Sequence, residues 1–147
     1  LNEKSILSVY SAYHYFDFGK NYIKNIGVMN PGNGSNNSDV LNGGGNAYPA
    51  LGTGHSVYTQ VGYLFKELND KHAGVMPYIA AHFGDYDGLD ELMTTYNLGV
   101  NYLFQGTHSS KLSLELQNRP VFIEQSVGTS KVDVRMNMVV LQMQLSF

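Results

Sequence analysis

The chain contains no cysteine, and only 14% of its residues are charged. The lack of cysteine excludes a disulfide framework and thiol chemistry. Ordinary soluble domains are about a quarter charged, so this chain is poor in charge although its mean hydropathy is only -0.20. Its net charge of -3 gives no general attraction to nucleic acid, and we expect no nucleic-acid partner.

Long apolar runs and a leader pattern are also missing. The chain has no run of about 18 apolar residues, which excludes a membrane-spanning helix. Its start, "LNEKSIL", has neither Met nor the basic and apolar segments of a signal peptide. We therefore expect a processed protein or a piece of a longer one.

Signatures of metal sites and of catalysis are absent as well. The five histidines show no H-x-x-x-H or H-x-H spacing, and the acidic stretch "DYDGLDE" lacks the EF-hand order. The glycine-rich "LNGGGNAYPALGTGH" lacks the order of a phosphate-binding P-loop. We expect no metal, no cofactor and no enzymatic activity.

What the sequence does contain is alternation with a period of two. In "KLSLELQ" the three leucines share one side, while Lys111, Ser113, Glu115 and Gln117 share the other. This pattern indicates a strand between two different environments. It predicts an all-β fold with six strands, over residues 5–18, 56–66, 75–86, 96–104, 111–117 and 132–147. The last of these changes phase near Met138 and Val139, which indicates either a β-bulge or the point where the strand leaves the buried zone.

The connections differ in length in a regular way. Residues 67–74 and 106–110 form short connections at one end of the strands. The longer connections, 20–54, 87–93 and 120–131, all fall at the other end, and 20–54 is rich in Gly and Asn and lacks strand patterning. Short turns on one side and long loops on the other are typical of bacterial outer-membrane barrels. The pattern predicts an antiparallel transmembrane β-barrel, with 20–54 as a long extracellular loop.

Aromatic residues concentrate near both ends of the strands. Those near the short connections are Tyr63, Phe65, Tyr102, Phe104 and Phe147, and those near the long ones are Tyr13, Tyr15, Phe83 and Tyr96. Girdles of aromatic residues at the two membrane interfaces have this distribution. The high β-propensity of aromatic residues is the alternative explanation.

Several segments resemble a known family. "GNAYPALGTGH", "YNLGVNYLFQGTHSSKLSLELQNRPVF", "DYDGLDELM" and the ending "MVVLQMQLSF" are similar to the C-terminal part of porins of the phosphate-selective O and P type, especially those of Bacteroidota. The resemblance implies a trimeric, 16-stranded, water-filled channel of which residues 1–147 supply the six C-terminal strands. The alternating end, with Met143, Leu145 and Phe147, resembles the signal that the barrel-insertion machinery recognises.

The function that the resemblance implies is passive diffusion of small hydrophilic solutes or anions across the bacterial outer membrane. By strand phase, the candidates for lining the lumen are Lys66, Lys111, Glu115, Gln117, Arg119, Arg135, Gln142 and Gln144. The arginine ladder of the phosphate-selective channels is not matched, so phosphate specificity is not carried over. The expected partners are outer-membrane lipid and lipopolysaccharide, the insertion machinery, and further copies of the chain in a homotrimer or larger assembly.

Two other hypotheses fit part of the pattern. A small closed barrel of eight strands, with an extra hairpin within 20–54, would have a structural, adhesive or assembly role. A soluble β-sandwich, such as a lectin, would bury both faces of its strands within protein.

Overall fold

The computed structural model describes residues 5–27, 34–35, 47–66, 73–104, 108–126 and 129–146. In order along the chain, the strands in these residues are β1 (Ser5–Phe16), β2 (Ile23–Gly27), β3 (Gly34–Ser35), β4 (Ala47–Gly52), β5 (Gly54–Phe65), β6 (Gly74–Tyr86), β7 (Met93–Leu103), β8 (Ser110–Ser126) and β9 (Thr129–Leu145). The prediction of an all-β fold is confirmed. No helix within the described ranges is long and apolar enough to cross a membrane.

The main sheet has six strands in the order β1-β5-β6-β7-β8-β9, and every neighbouring pair is antiparallel. These are the six strands that alternation predicts. The strands are connected at two ends. We call the end where β5 meets β6 and β7 meets β8 the turn end, and the opposite end the loop end.

One side of this sheet is apolar and uncovered. In an antiparallel sheet, residues directly opposite each other share a face, so the register identifies rows of side chains. One row runs across all six strands and consists of Val9, Val61, Ile79, Leu98, Leu116 and Val139. The exposed fraction of these side chains ranges from 39% for Val61 to 69% for Val139. We call this side the apolar face.

The other side, the polar face, is more closely packed. Asn101 and Ser113 lie on it near the turn end, and both are buried. Leu64, Met76 and Leu103 form a small apolar cluster at the same end. The polar face is therefore buried at this end of the sheet, whereas the apolar face is exposed.

The connection 20–54, which shows no strand patterning in the sequence, contains three short strands. β2, β3 and β4 form a separate antiparallel sheet in the order β3-β2-β4. Their segments are short and glycine-containing, so they lack the alternation that identifies longer strands. Ile23 of β2 packs on Tyr86 and Met93, and β4 lies beside β6 and β8. Because Tyr86 and Met93 belong to the polar face, the small sheet lies over that face at the loop end.

Thr53 fastens the two ends of this connection. Its Oγ1 donates a hydrogen bond to the Gly19 carbonyl (2.6 Å) and accepts one from the Phe18 amide (3.0 Å). Its backbone N–H donates to the Tyr22 carbonyl (3.0 Å), and its carbonyl accepts from the Asp87 amide (2.8 Å). Through these two backbone hydrogen bonds, Thr53 joins the segment before β2 to the β6–β7 connection. Thr53 itself is buried.

The structure corrects two predictions about β8 and β9. The two strands pair as far as Ser126 opposite Thr129, so 120–131 is mostly strand; the β-branched and aromatic residues within it favour extended backbone. The pairing runs without a shift through Met138 and Val139, and the register shifts lie instead between Val121 and Phe122 and between Glu124 and Ser126. The apolar residues before Val139 therefore alternate onto the polar face as well, which explains the apparent change of phase.

Gly54 provides a test of the connection between the two sheets. Its φ is +135°, and a Cβ at this position would overlap the Asp85 carbonyl oxygen. We expect Gly54→Ala to lower the free energy of unfolding by about 3 kcal/mol, because strain from a disfavoured φ costs about 1–3 kcal/mol and a backbone clash adds to it. Urea titration measures this difference.

Gly19→Ala is the matched control. Gly19 also has a positive φ, +96°, but a Cβ added there would meet no atom within 4 Å. We expect this substitution to cost about 1 kcal/mol from strain alone. Equal losses from the two variants would contradict the close approach of Gly54 to β6.

Candidate functional site

The predicted lining residues of β8 and β9 are brought together on the polar face. Along β8, Lys111, Ser113 and Glu115 follow one another on this face. Across the pair of strands, Lys111 lies opposite Gln144 and Ser113 lies opposite Gln142. Gln117 and Arg119 continue the same row toward the loop end. The structure thus places six of the eight predicted residues on one surface: Lys111, Glu115, Gln117, Arg119, Gln142 and Gln144.

Glu115 is the centre of a hydrogen-bonded cluster on this face. Its Oε2 accepts a hydrogen bond from the Tyr78 hydroxyl (2.5 Å), and its Oε1 accepts from Asn97 Nδ2 (3.3 Å) and from Gln117 Nε2. The donors come from β6, β7 and β8, so the carboxylate links three strands. All three donors are neutral, and hydrogen bonds to an ionised acceptor are stronger than those between neutral groups. The cluster therefore holds a fixed negative charge without neutralising it.

A glycine makes possible the contact between Tyr78 and Glu115, which reaches across the whole of β7. Tyr78 lies opposite Gly99, and Gly99 lies opposite Glu115. The Tyr78 ring crosses β7 directly over Gly99, where a Cβ would overlap the ring. A glycine inside a strand marks a close approach of this kind. Glu115 was predicted from the sequence, but Tyr78 and Asn97 were not. The isolated Gly99 within an alternating strand was the available signal for them.

A polar hollow of about 200 Å³ lies beside the cluster. Gln60, Asn101, Lys111 and Gln142 contribute to its lining, together with Glu115 and Gln117. Asn101 Oδ1 accepts a hydrogen bond from Ser113 Oγ (2.6 Å) at its wall. The hollow presents an ammonium group, a carboxylate and several amides, which suits water and small polar solutes. Within the described ranges, no three His, Asp or Glu side chains are grouped so that they could hold a metal ion.

Arg119, one of the six predicted residues on the polar face, is buried, and its Nη2 lies 3.0 Å from Met138 Sδ. The other predicted residues lie elsewhere. Lys66 directly follows the end of β5 at the turn end and is half-buried. Met143 and Leu145 lie on the apolar face and are exposed. Phe147 falls outside the described residues.

Arg135 was expected on the same face as the other lining candidates, but the register places it on the opposite one. It lies opposite Pro120 and in phase with Val139, on the apolar face near the loop end. Its Nη1 donates to Thr94 Oγ1 (3.0 Å), its Nε donates to Asn118 Oδ1 (2.5 Å), and its Cζ lies 5.2 Å from the centre of the Tyr96 ring. The apparent change of phase near Met138 had shifted this residue to the wrong side.

Comparison of the chain with models of protein families, with curated proteins and with solved structures finds no match. The resemblance to phosphate-selective O and P porins stays a prediction carried by the motifs quoted above.

The Tyr78–Glu115 contact is tested by a double-mutant cycle. We expect Tyr78→Phe and Glu115→Gln to show a coupling energy of about 1–2 kcal/mol in urea unfolding, because a hydrogen bond to a charged group contributes about 1.5–3 kcal/mol. Phe keeps the ring over Gly99, so the cycle isolates the hydroxyl.

Tyr63→Phe serves as the control. Its hydroxyl donates to Ser5 Oγ (2.8 Å) on the apolar face, and we expect no coupling with Glu115→Gln. Additivity of the Tyr78 and Glu115 variants, within about 0.5 kcal/mol, would mean that the contact does not stabilise the protein.

Proposed function

We propose that this chain is part of a passive diffusion channel in the bacterial outer membrane. Its six long strands cross the bilayer as a segment of a larger antiparallel barrel, with the apolar face toward lipid and the polar face toward the lumen. The observation that carries the proposal is the exposed apolar row that crosses all six strands. Exposed apolar patches on soluble monomers rarely exceed a few hundred Å², and lipid is the medium that removes the cost of a larger one.

Aromatic side chains at both ends of the strands support the proposal, because they would lie at the two interfaces of the membrane. At the turn end, Tyr63 and Phe65 pack with ring centres 4.8 Å apart, and Tyr102 and Phe104 with ring centres 5.2 Å apart. At the loop end, Phe83 packs against Tyr96, and the Tyr13 hydroxyl lies 2.7 Å from His55 Nδ1. Rings with an apolar body and a polar tip favour the interface between lipid and water.

The sheet of the described residues is open, with β1 and β9 at its two edges. A bilayer offers no hydrogen bonds to an unpaired edge, so only closed barrels cross it as strands. The proposal therefore requires further strands that join β9 to β1. A barrel of about 16 strands encloses an aqueous channel, and a trimer of such barrels, assembled by the insertion machinery, is the form that the family resemblance implies.

The polar face supports passage of small solutes and not of large ones. The small sheet formed by β2, β3 and β4 lies over this face at the loop end, where it would narrow the mouth of the barrel. The fixed carboxylate of Glu115 and the cations Lys111 and Arg119 share the same face. A lumen lined with amides and with charges of both signs replaces the hydration of small hydrophilic solutes and anions.

An alternative is a small barrel with no open lumen. It is favoured by one observation, the buried Leu64, Met76 and Leu103 on the polar face at the turn end, because apolar side chains fill the interior of narrow barrels. Conductance in a planar bilayer separates the two hypotheses. The channel predicts stable steps of current from the purified protein, and a filled barrel predicts almost none.

Arginine substitutions on the two faces test the assignment of lipid and lumen. Leu114 is exposed in the middle of the apolar face, and we expect Leu114→Arg to lower the free energy of unfolding in lipid bilayers by about 2–4 kcal/mol. Gln117→Arg, on the polar face, is expected to keep normal stability and to increase the permeability ratio of anions over cations. Equal destabilisation by the two variants would contradict the proposed orientation.

A further inference from the structure

The apolar face is not uniform, because a groove of about 370 Å³ interrupts it. The small residues Thr59 and Ala81 form part of its lining, and Val61, Ile79, Leu98 and Leu116 contribute the apolar part nearer the middle of the sheet. Tyr96 and Asn118 line it on the side of the loop end. Its size is in the range of about 300–1,000 Å³ that small-molecule sites occupy. Its lining is almost entirely apolar in the middle of the sheet and polar only at one end.

Arg135 lies at that polar end. Tyr96 and Asn118, which line this end of the groove, also contact Arg135. The Arg135 guanidinium lies over the Tyr96 ring, and its Nε donates a hydrogen bond to Asn118 Oδ1. Two further hydrogen bonds, to Thr94 Oγ1 (3.0 Å) and the Thr94 carbonyl (2.9 Å), fix its orientation. The side chain is exposed, so its charged group is both held in place and accessible.

The charge of Arg135 is not neutralised within the part of the chain that the structure describes. Each hydrogen-bond acceptor that it contacts there is neutral, either a carbonyl, an amide oxygen or a hydroxyl. A positively charged group beside an apolar groove is complementary to a ligand with an anionic end and a long apolar end. Its hydrogen bonds within the protein use four of the five N–H groups of the guanidinium. One N–H of Nη1 and the positive charge remain for a phosphate oxygen.

We propose that the groove and Arg135 together bind one anionic membrane lipid, with an acyl chain against Ile79 and Leu98 and the phosphate of its headgroup at Arg135. This inference deepens the proposed function and rests on it, because it requires the apolar face to lie in a bilayer. It adds a defined site to what is otherwise general solvation by lipid. The site lies near the loop end, so the bound lipid belongs to the outer leaflet in the proposed orientation.

Native mass spectrometry of the purified full-length protein in detergent, titrated with phosphatidylglycerol or phosphatidylcholine of the same acyl chains, tests the site. We expect phosphatidylglycerol to bind at least about tenfold more tightly, and Arg135→Gln to remove about tenfold of that affinity, as loss of a charge-assisted contact implies. Arg135→Lys keeps the charge but not the planar group that stacks on Tyr96, and it is expected to restore only part of the binding. Circular dichroism checks that each variant retains its β-structure.

Two further variants separate the groove from the charge. Ala81→Leu adds bulk to the groove lining and is expected to weaken both lipids, whereas Lys24→Gln removes an exposed cation of the small sheet and is expected to change neither. Unaltered binding by Arg135→Gln, equal loss from Lys24→Gln, or equal binding of the two lipids would overturn the site. So would chemical cross-links that place a second copy of the chain over Ala81 and exclude lipid.

The result is independent of conductance. A protein that carries no current but binds phosphatidylglycerol through Arg135 would refute the channel and retain the lipid site. A protein that conducts but binds both lipids equally would refute the lipid site and retain the channel.

Discussion

The constraint on which the rest of the structure depends is the pairing of backbone groups across one single-layered sheet. Because residues directly opposite each other share a face, six strands in register sort nearly every side chain onto one of two surfaces. The apolar row from Val9 to Val139 and the cluster around Glu115 are two consequences of the same register. A shift of one residue in any strand would exchange the two surfaces of that strand. Only the observed register keeps the apolar side chains on one face and the polar ones on the other.

Tyrosine and glycine reinforce this register across the strands. Tyr78 reaches Glu115 only because Gly99 leaves the intervening strand without a side chain. Tyr86 repeats the arrangement: its ring lies over Gly84, and its hydroxyl donates to the Ala50 carbonyl (3.0 Å), which attaches β4 to the main sheet. In both places a long aromatic side chain and a missing one form a matched pair.

The sequence was sufficient to predict the six main strands and most of their faces, because a period of two is a direct consequence of strand geometry. It was insufficient for β2, β3 and β4, whose formation depends on Ile23 packing against Tyr86 and Met93 far along the chain. The face of Arg135 was missed because alternation fails where both sides of a strand carry apolar residues, as they do from Met136 to Val140. The partners of Glu115 were missed for a different reason, since contacts across three strands follow from register and not from local pattern.

The two faces also explain why charge is scarce in this chain. In the proposed orientation, a charged side chain on the apolar face would cost free energy in proportion to its depth in lipid. Among the described strands, Arg135 lies at the loop end of that face, beside Tyr96. Its aliphatic stem and the ring provide an apolar base, while its guanidinium would remain at the level of the headgroups of the proposed membrane. On the polar face, Glu115 is held by neutral donors from three strands and shares a water-accessible hollow with Lys111. In the proposed orientation, the charges of Glu115 and Arg135 would thus lie where water or headgroups reach them, so their positions agree with the assignment of the two faces.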